Sequence, residues 1–127
     1  MAAIPILVTG GAGYIGSHVC KALKASGYLP VTLDNLSRGH ESAVKFGPLE
    51  RTDLLDRASI LGVLKKYQPK AVVHCAGYIA VGESTQNPEL YYQQNVVATL
   101  NLLSAMREAS INHIIFSSSC AVHGNPA

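Results

Sequence analysis

Eleven residues close to the N-terminus, Val8-Thr9-Gly10-Gly11-Ala12-Gly13-Tyr14-Ile15-Gly16-Ser17-His18, restrict the fold more than any other stretch. An apolar run, Ile4 to Val8, leads into them, and a helical pattern begins directly after. Glycine is needed at such a place for three reasons: to turn the chain sharply, to let backbone N–H groups approach a pyrophosphate without a Cβ in the way, and to pack helix closely on strand. The first turn of the helix adds unpaired N–H groups and partial positive charge. The order strand, glycine turn, helix therefore predicts a dinucleotide-binding unit. Two spacings fit, Gly11-x-Gly13-x-x-Gly16 and Gly10-x-x-Gly13-x-x-Gly16, and the residues alone do not choose between them.

The remaining chain extends this start into an alternating pattern. Strand 1 is expected over Ile4–Thr9 and a helix over Tyr14–Ser26, with Ile15, Val19, Ala22 and Leu23 at helical spacing and Gly27 as the stop. Strand 2 is expected over Pro30–Leu33, ending in Asp34, and a brief strand 3 at Leu49–Glu50. Asp56 is placed to cap a helix reaching Leu64 or Tyr67, with Ile60, Leu61 and Leu64 inward and Pro69 beyond it. Strand 4 is expected over Ala71–Cys75. Asn87-Pro88-Glu89 then opens a helix to Ala109, with Tyr92, Val96, Leu100, Leu103 and Met106 as its apolar face. His113–Phe116 reads as strand 5. Five strands alternating with helices predict an α/β, Rossmann-like, doubly wound parallel sheet of order 3-2-1-4-5, in a single dinucleotide-binding domain over residues 1–127.

Composition narrows the class. Only 14% of residues are charged, against about 25% in an average soluble domain. Buried parallel strands produce such a deficit, as does surface covered by another domain or subunit. A net charge of +2 gives no argument for nucleic acid or an anionic membrane, and no run approaches the ~20 apolar residues of a bilayer span. Cys20, Cys75 and Cys120 have no metal-like spacing and read as reduced, packed thiols. Met1-Ala2-Ala3-Ile4-Pro5 carries no basic leader or long apolar core, so no secretory signal is expected, and a cytoplasmic location without a metal is expected.

In a sheet of this order ligands lie beyond the carboxyl ends of the strands, between strands 1 and 4. The glycine loop (Gly10, Gly13, Gly16), Asp34, Asp53, Ala76-Gly77 and Ser117-Ser118-Ser119 all fall at such ends. Asp34 lies where a carboxylate accepts hydrogen bonds from adenosine ribose hydroxyls and repels a 2′-phosphate, which favours NAD over NADP. Arg38, a few residues on, is either a loop charge or a residue that softens this preference. Asn95 interrupts an apolar helix face, as a packing amide or as a site residue. A serine hydroxyl after strand 5 could hydrogen-bond a substrate alcohol and relay its proton.

Thr9 to His18, Leu33-Asp34-Asn35-Leu36, Ala80-Val81-Gly82-Glu83-Ser84 with Tyr91-Tyr92, and Phe116-Ser117-Ser118-Ser119 together resemble the UDP-glucose 4-epimerase family of extended short-chain dehydrogenases. The resemblance covers essentially the whole chain. It implies reversible hydride transfer between a UDP-sugar C4 hydroxyl and tightly held NAD, through a 4-keto intermediate. It also implies Tyr14 and Ile15 at the pyrophosphate, Asp34 and Asn35 at the ribose, Asp53 and Leu54 at adenine, and Ala76 and Gly77 along the cofactor channel. Asn95 is left as the match to one asparagine of a family pair, Ser119 becomes the catalytic serine, and the Pro88–Ala109 helix a homodimer surface. Ile79, Gln94, Cys120 and His123 replace a lysine, an asparagine, a small residue and a tyrosine usual in the family.

No tyrosine here has a lysine four residues on, so the family's Tyr-x-x-x-Lys is missing. The chain is expected to be incomplete at its C-terminus, lacking later strands and a sugar domain, to be weakly active or inactive alone, and to expose strand 5 as a sticky sheet edge. A dehydratase or decarboxylase acting on nucleotide-sugars, or a non-catalytic NAD-binding module, are the other readings of the same residues.

Overall fold

The computed structural model of the chain describes residues 3–37, 39–75, 88–89 and 93–116. Its elements are β1 (Pro5–Thr9), α1 (Tyr14–Ala25), β2 (Leu29–Asp34), a 3-10 turn (Glu41–Ala43), β3 (Leu49–Arg51), α2 (Arg57–Tyr67), β4 (Ala71–His74), a π-helical turn (Gln93–Val97), α3 (Ala98–Glu108) and β5 (Ile114–Phe116). The strands form one sheet of order β3-β2-β1-β4-β5, and every pairing is parallel. This is the expected Rossmann-like order.

Side-chain alternation explains the two helical layers. Leu7, Val31, Leu33 and Val72 point to one face and pack with Ile60, Val63 and Leu64 of α2 and Ala98, Leu102, Ala105 and Met106 of α3. Thr32 points to the other face, where it meets Cys20 of α1. Pro30 is unusual inside a parallel strand, because it cannot donate to a ladder. Leu29 donates to Ile4 on the β1 side and Thr32 donates to Pro48 on the β3 side, so Pro30 also faces β3. Pairing with β3 begins only at Thr32↔Leu49, and no ladder bond is lost.

Helix ends follow their local chemistry. Asp56 caps α2 by accepting from the backbone N–H of Ser59, as its sequence position predicts. α2 ends where Gln68 takes a left-handed conformation (φ 49°) ahead of buried Pro69.

The long helix departs from expectation in two ways. Residues 88–89 are helical, but the π turn breaks the regular period before α3 begins. The buried face is Ala98, Leu102, Ala105 and Met106, whereas Val96, Leu100 and Leu103 are exposed and Tyr92 lies outside the described residues. Ala98, Leu102, Ala105 and Met106 make up the stripe that meets the core, and Val96, Leu100 and Leu103 form a second apolar stripe turned outward. Among the described residues no helix is long and apolar enough to cross a membrane.

Candidate functional site

The glycine loop joins β1 to α1 at the carboxyl edge of the sheet. Gly10 has φ +70°, a left-handed conformation open to glycine at little cost, and its N–H donates to the carbonyl of Leu33 on β2. A methyl on Gly16 would sit 2.1 Å from the Gly10 carbonyl oxygen, so helix and turn touch there. Gly16 belongs to both spacings, and Gly11 is as necessary as Gly10, since its Cβ would lie 2.5 Å from Thr32, so the turn fits both readings. Gly13 differs: its Cβ would meet only the Gly10 oxygen, at 3.3 Å. The fold asks little of Gly13, which leaves open space above the turn there.

α1 presents its N-terminus at this spot. Gly13 is the N-cap without a capping side chain, and no acidic residue occupies the first turn. The partial positive end thus has no protein anion nearby in its own first turn. Tyr14 and Ile15 point outward, at 78% and 51% exposure, and the Tyr14 ring meets His18 edge-on at 4.7 Å. Their side chains leave the backbone of the turn open to a ligand.

Asp34, at the end of β2, faces the loop. One carboxylate oxygen accepts from the Ala12 N–H (3.1 Å) and the other from the Leu36 N–H (2.8 Å). Asn35 is tied into its own turn by accepting from Ser37 N–H, and Leu36 is held at φ 64°. Returning chain covers Ala12 from the other side: His40 N–H donates to the Ala12 carbonyl, and Gly39 packs so close that a Cβ would lie 2.7 Å from it. Arg38 lies outside the described residues.

Asp53 follows β3 and accepts from Leu55 N–H in a local turn. Leu54 is 6% exposed and belongs to the core, so its side chain is committed to packing and only its backbone faces the edge. Asn101 on α3 donates to that backbone carbonyl. Asn95 is exposed on the π turn. Ala76, Gly77, Ile79, Ser117, Ser118, Ser119, Cys120 and His123 lie outside the described residues, as does the side chain of Gln94.

Between β1 and β4 the floor of the crevice is polar. Thr9 and His74 are register partners and hydrogen-bonded, Oγ1 to Nδ1 at 2.5 Å. Thr9 Oγ1 also accepts from Cys75 N–H, and His74 Nε2 lies 3.0 Å from Thr99 Oγ1. The Thr99 hydroxyl donates to the Asn95 carbonyl. His74 is 5% exposed, with the Phe116 ring edge-on at 5.5 Å, and burial pushes its pKa down to about 4. Burial also raises the Cys75 thiol to about 11 and the Cys20 thiol above its usual value, and both are free cysteines. Sequence reasoning missed Thr9, His74 and Thr99. Each is a single polar residue with no diagnostic spacing, Thr9 and His74 ending the apolar strands β1 and β4 and Thr99 lying within α3.

Residues 6–127 match the NAD dependent epimerase/dehydratase family. The chain belongs to that family. Among curated relatives, it is 53% identical over 121 residues to a UDP-glucose 4-epimerase of Rhizobium meliloti (strain 1021), covering 95% of this chain and 37% of the relative. The Mus musculus UDP-glucose 4-epimerase is 43% identical over 135 residues, covering 95% and 39%. Among solved structures of this epimerase family, that of the Brucella ovis UDP-glucose 4-epimerase in complex with NAD superposes with a TM-score of 0.93 at 49% identity, covering 98% of this chain and 38% of that one. The Thermus thermophilus UDP-glucose 4-epimerase complex with NAD gives 0.88 at 37% identity, covering 91% and 38%. The chain therefore spans well under half the length of these epimerases.

Proposed function

We propose that this chain is the dinucleotide-binding domain of a UDP-glucose 4-epimerase and binds NAD at the carboxyl edge of its sheet. The carrying observation is the meeting of an uncapped α1 N-terminus, a glycine turn with open space at Gly13, and the Asp34 carboxylate at one edge. The turn from Gly10 to Gly16, with the backbone of Tyr14 and Ile15, would hold the pyrophosphate. Asp34 and Asn35 would take the adenosine ribose. Each carboxylate oxygen of Asp34 has accepting capacity left beyond its one backbone bond, so ribose hydroxyls fit without disturbing the loop. Asp53 and the Leu54 backbone would border adenine, with Ala76, Gly77 and Asn95 along the channel and Ser119 at the substrate hydroxyl.

NAD, when bound, supplies the acceptor that takes up and returns hydride at the sugar. This chain's part is to bind and orient. None of Tyr14, Tyr28, Tyr67, Tyr78, Tyr91 or Tyr92 precedes a lysine by four residues, so the base expected to take the hydroxyl proton is not among them. Two free thiols suit a cytoplasmic setting. The exposed Val96, Leu100 and Leu103 stripe suits a homodimer.

The test is calorimetric titration of the chain with NAD, beside Asp34→Ala. Wild type should bind, and the variant should bind roughly 10- to 100-fold more weakly, the range for a hydrogen bond to a charged group, while staying folded with a midpoint lowered only modestly by the loss of the acceptor for the Ala12 and Leu36 N–H groups. Absence of binding to wild type sinks the proposal, and equal affinity removes Asp34 from the site. Conversion of UDP-galactose to UDP-glucose by the chain alone should stay at background, and turnover would overturn the division of labour.

A further inference from the structure

We propose that His74 is a positioning residue for the cofactor crevice: fixed as one neutral tautomer, it ties the carboxyl ends of β1 and β4 to the π turn that carries Asn95. The proposal rests on the NAD-binding reading for its functional part and on hydrogen-bond direction for its structural part.

The direction follows from counting hydrogens. The Thr99 hydroxyl has one hydrogen and gives it to the Asn95 carbonyl, so toward His74 it accepts. Nε2 of His74 therefore carries a hydrogen. In the neutral ring Nδ1 then offers a lone pair, which accepts from the Thr9 hydroxyl, while Thr9 Oγ1 accepts from Cys75 N–H. With Thr99 donating to Asn95, the bonds named here run in one sense, from Cys75 through Thr9 and His74 to Thr99 and Asn95. Adding a proton to Nδ1 would make the Thr9 hydroxyl turn its hydrogen away and accept instead, in a site beside Phe116 where no carboxylate hydrogen-bonds the ring among the described residues.

Such a tie has work to do at this place. A π turn departs from the regular helix ladder and needs outside support. Its Asn95 carbonyl is reached by a hydroxyl four residues on, which is itself braced by a strand-end ring 25 positions away in sequence. The ring lies at the β1–β4 gap, where the strand order turns back on itself and a dinucleotide crosses the sheet. Holding the π turn against this gap fixes one wall of the crevice before any ligand arrives.

Three variants separate the parts of the tie. Thr99→Val removes the hydroxyl. His74→Asn keeps an acceptor where Nδ1 stands and loses the donor to Thr99, whereas His74→Gln places an amide donor where Nε2 stands. Amide exchange at residues 93–97 should speed up roughly tenfold in Thr99→Val and His74→Asn and stay near wild type in His74→Gln, and the NAD Kd should follow the same order. A merely structural histidine would lower the melting temperature in both His74 variants without that split. Long-range proton–nitrogen spectra should show a hydrogen on Nε2 and none on Nδ1, unchanged down to about pH 5. Unchanged exchange in Thr99→Val, or a hydrogen on Nδ1, overturns the tie. Faster exchange with an unchanged Kd, in a chain that binds NAD, overturns the positioning role alone. Failure of wild type to bind NAD instead sinks the binding proposal and the crevice role with it, while exchange still decides the tie.

Discussion

Gly13 and Gly16 occupy the same turn for opposite reasons. Gly16 touches the Gly10 carbonyl, so Gly16→Ala must push backbone apart and should cost about 3 kcal/mol or more in a urea unfolding series. Gly13 already has φ −83°, which alanine adopts freely, and its Cβ would meet one atom at 3.3 Å. Gly13→Ala should unfold within about 1 kcal/mol of wild type yet weaken NAD binding by roughly tenfold or more, read by the same titration. His74 adds a pH dependence. Its ring is neutral in the fold down to about pH 4, whereas an unfolded histidine takes its proton near 6.5. The unfolded chain binds the extra proton first on acidification, so this contribution is full above about pH 6.5 and is lost as pH falls toward about 4. The loss has an upper bound of about 3 kcal/mol, and the difference in urea midpoint between wild type and His74→Asn should shrink across that window. Asp34 was legible from its distance to the glycines. His74 was not, because one histidine ending an apolar strand carries no spacing that marks it.

At the scale of elements, caps were legible and faces were less so. Asp56 stands one residue before a helical pattern, and it caps α2 as its position says. Asp56→Ala should lower stability by about 1 kcal/mol in thermal or urea unfolding, with NAD affinity unchanged. The Ser59 hydroxyl and, after it, the Ser59 backbone N–H hold the Asp56 carboxyl below its usual pKa by donating to it. α3 shows where pattern reading fails. Two apolar stripes run along it, and hydrophobicity alone ranked the larger residues as core. The fold instead buries the stripe of Ala98, Leu102, Ala105 and Met106, of which only Met106 stood on the expected face. The π turn was also invisible in the sequence, since a shifted hydrogen-bond ladder leaves the residue types unchanged. Leu100, 59% exposed at the centre of the outward stripe, is the place to test the proposed homodimer surface: if the stripe pairs, Leu100→Lys should shift sedimentation from dimer to monomer with a wild-type circular-dichroism spectrum.

For the molecule as a whole, strand order was the most legible property. Five apolar runs alternating with helical patterns admit few parallel sheets, and the glycine turn after the first run selects the one found. What stayed illegible is how the outer strand is covered. β5 ends the strand order, with Ile115 61% and Phe116 52% exposed. Ile115→Lys should therefore reduce concentration-dependent association in light scattering while leaving unfolding near wild type, because an exposed side chain gives up little on becoming charged. The Ala12 peptide has a consequence of another kind. Its N–H is held by the Asp34 carboxylate and its carbonyl by His40, so the acid that would choose between NAD and NADP is also a strut of the phosphate turn. Redesigning this chain for NADP by exchanging that acid for a small neutral residue would slacken the turn as it changed the preference. Selectivity and affinity share one side chain, and an engineer could move the first without harming the second only by giving Ala12 a new acceptor.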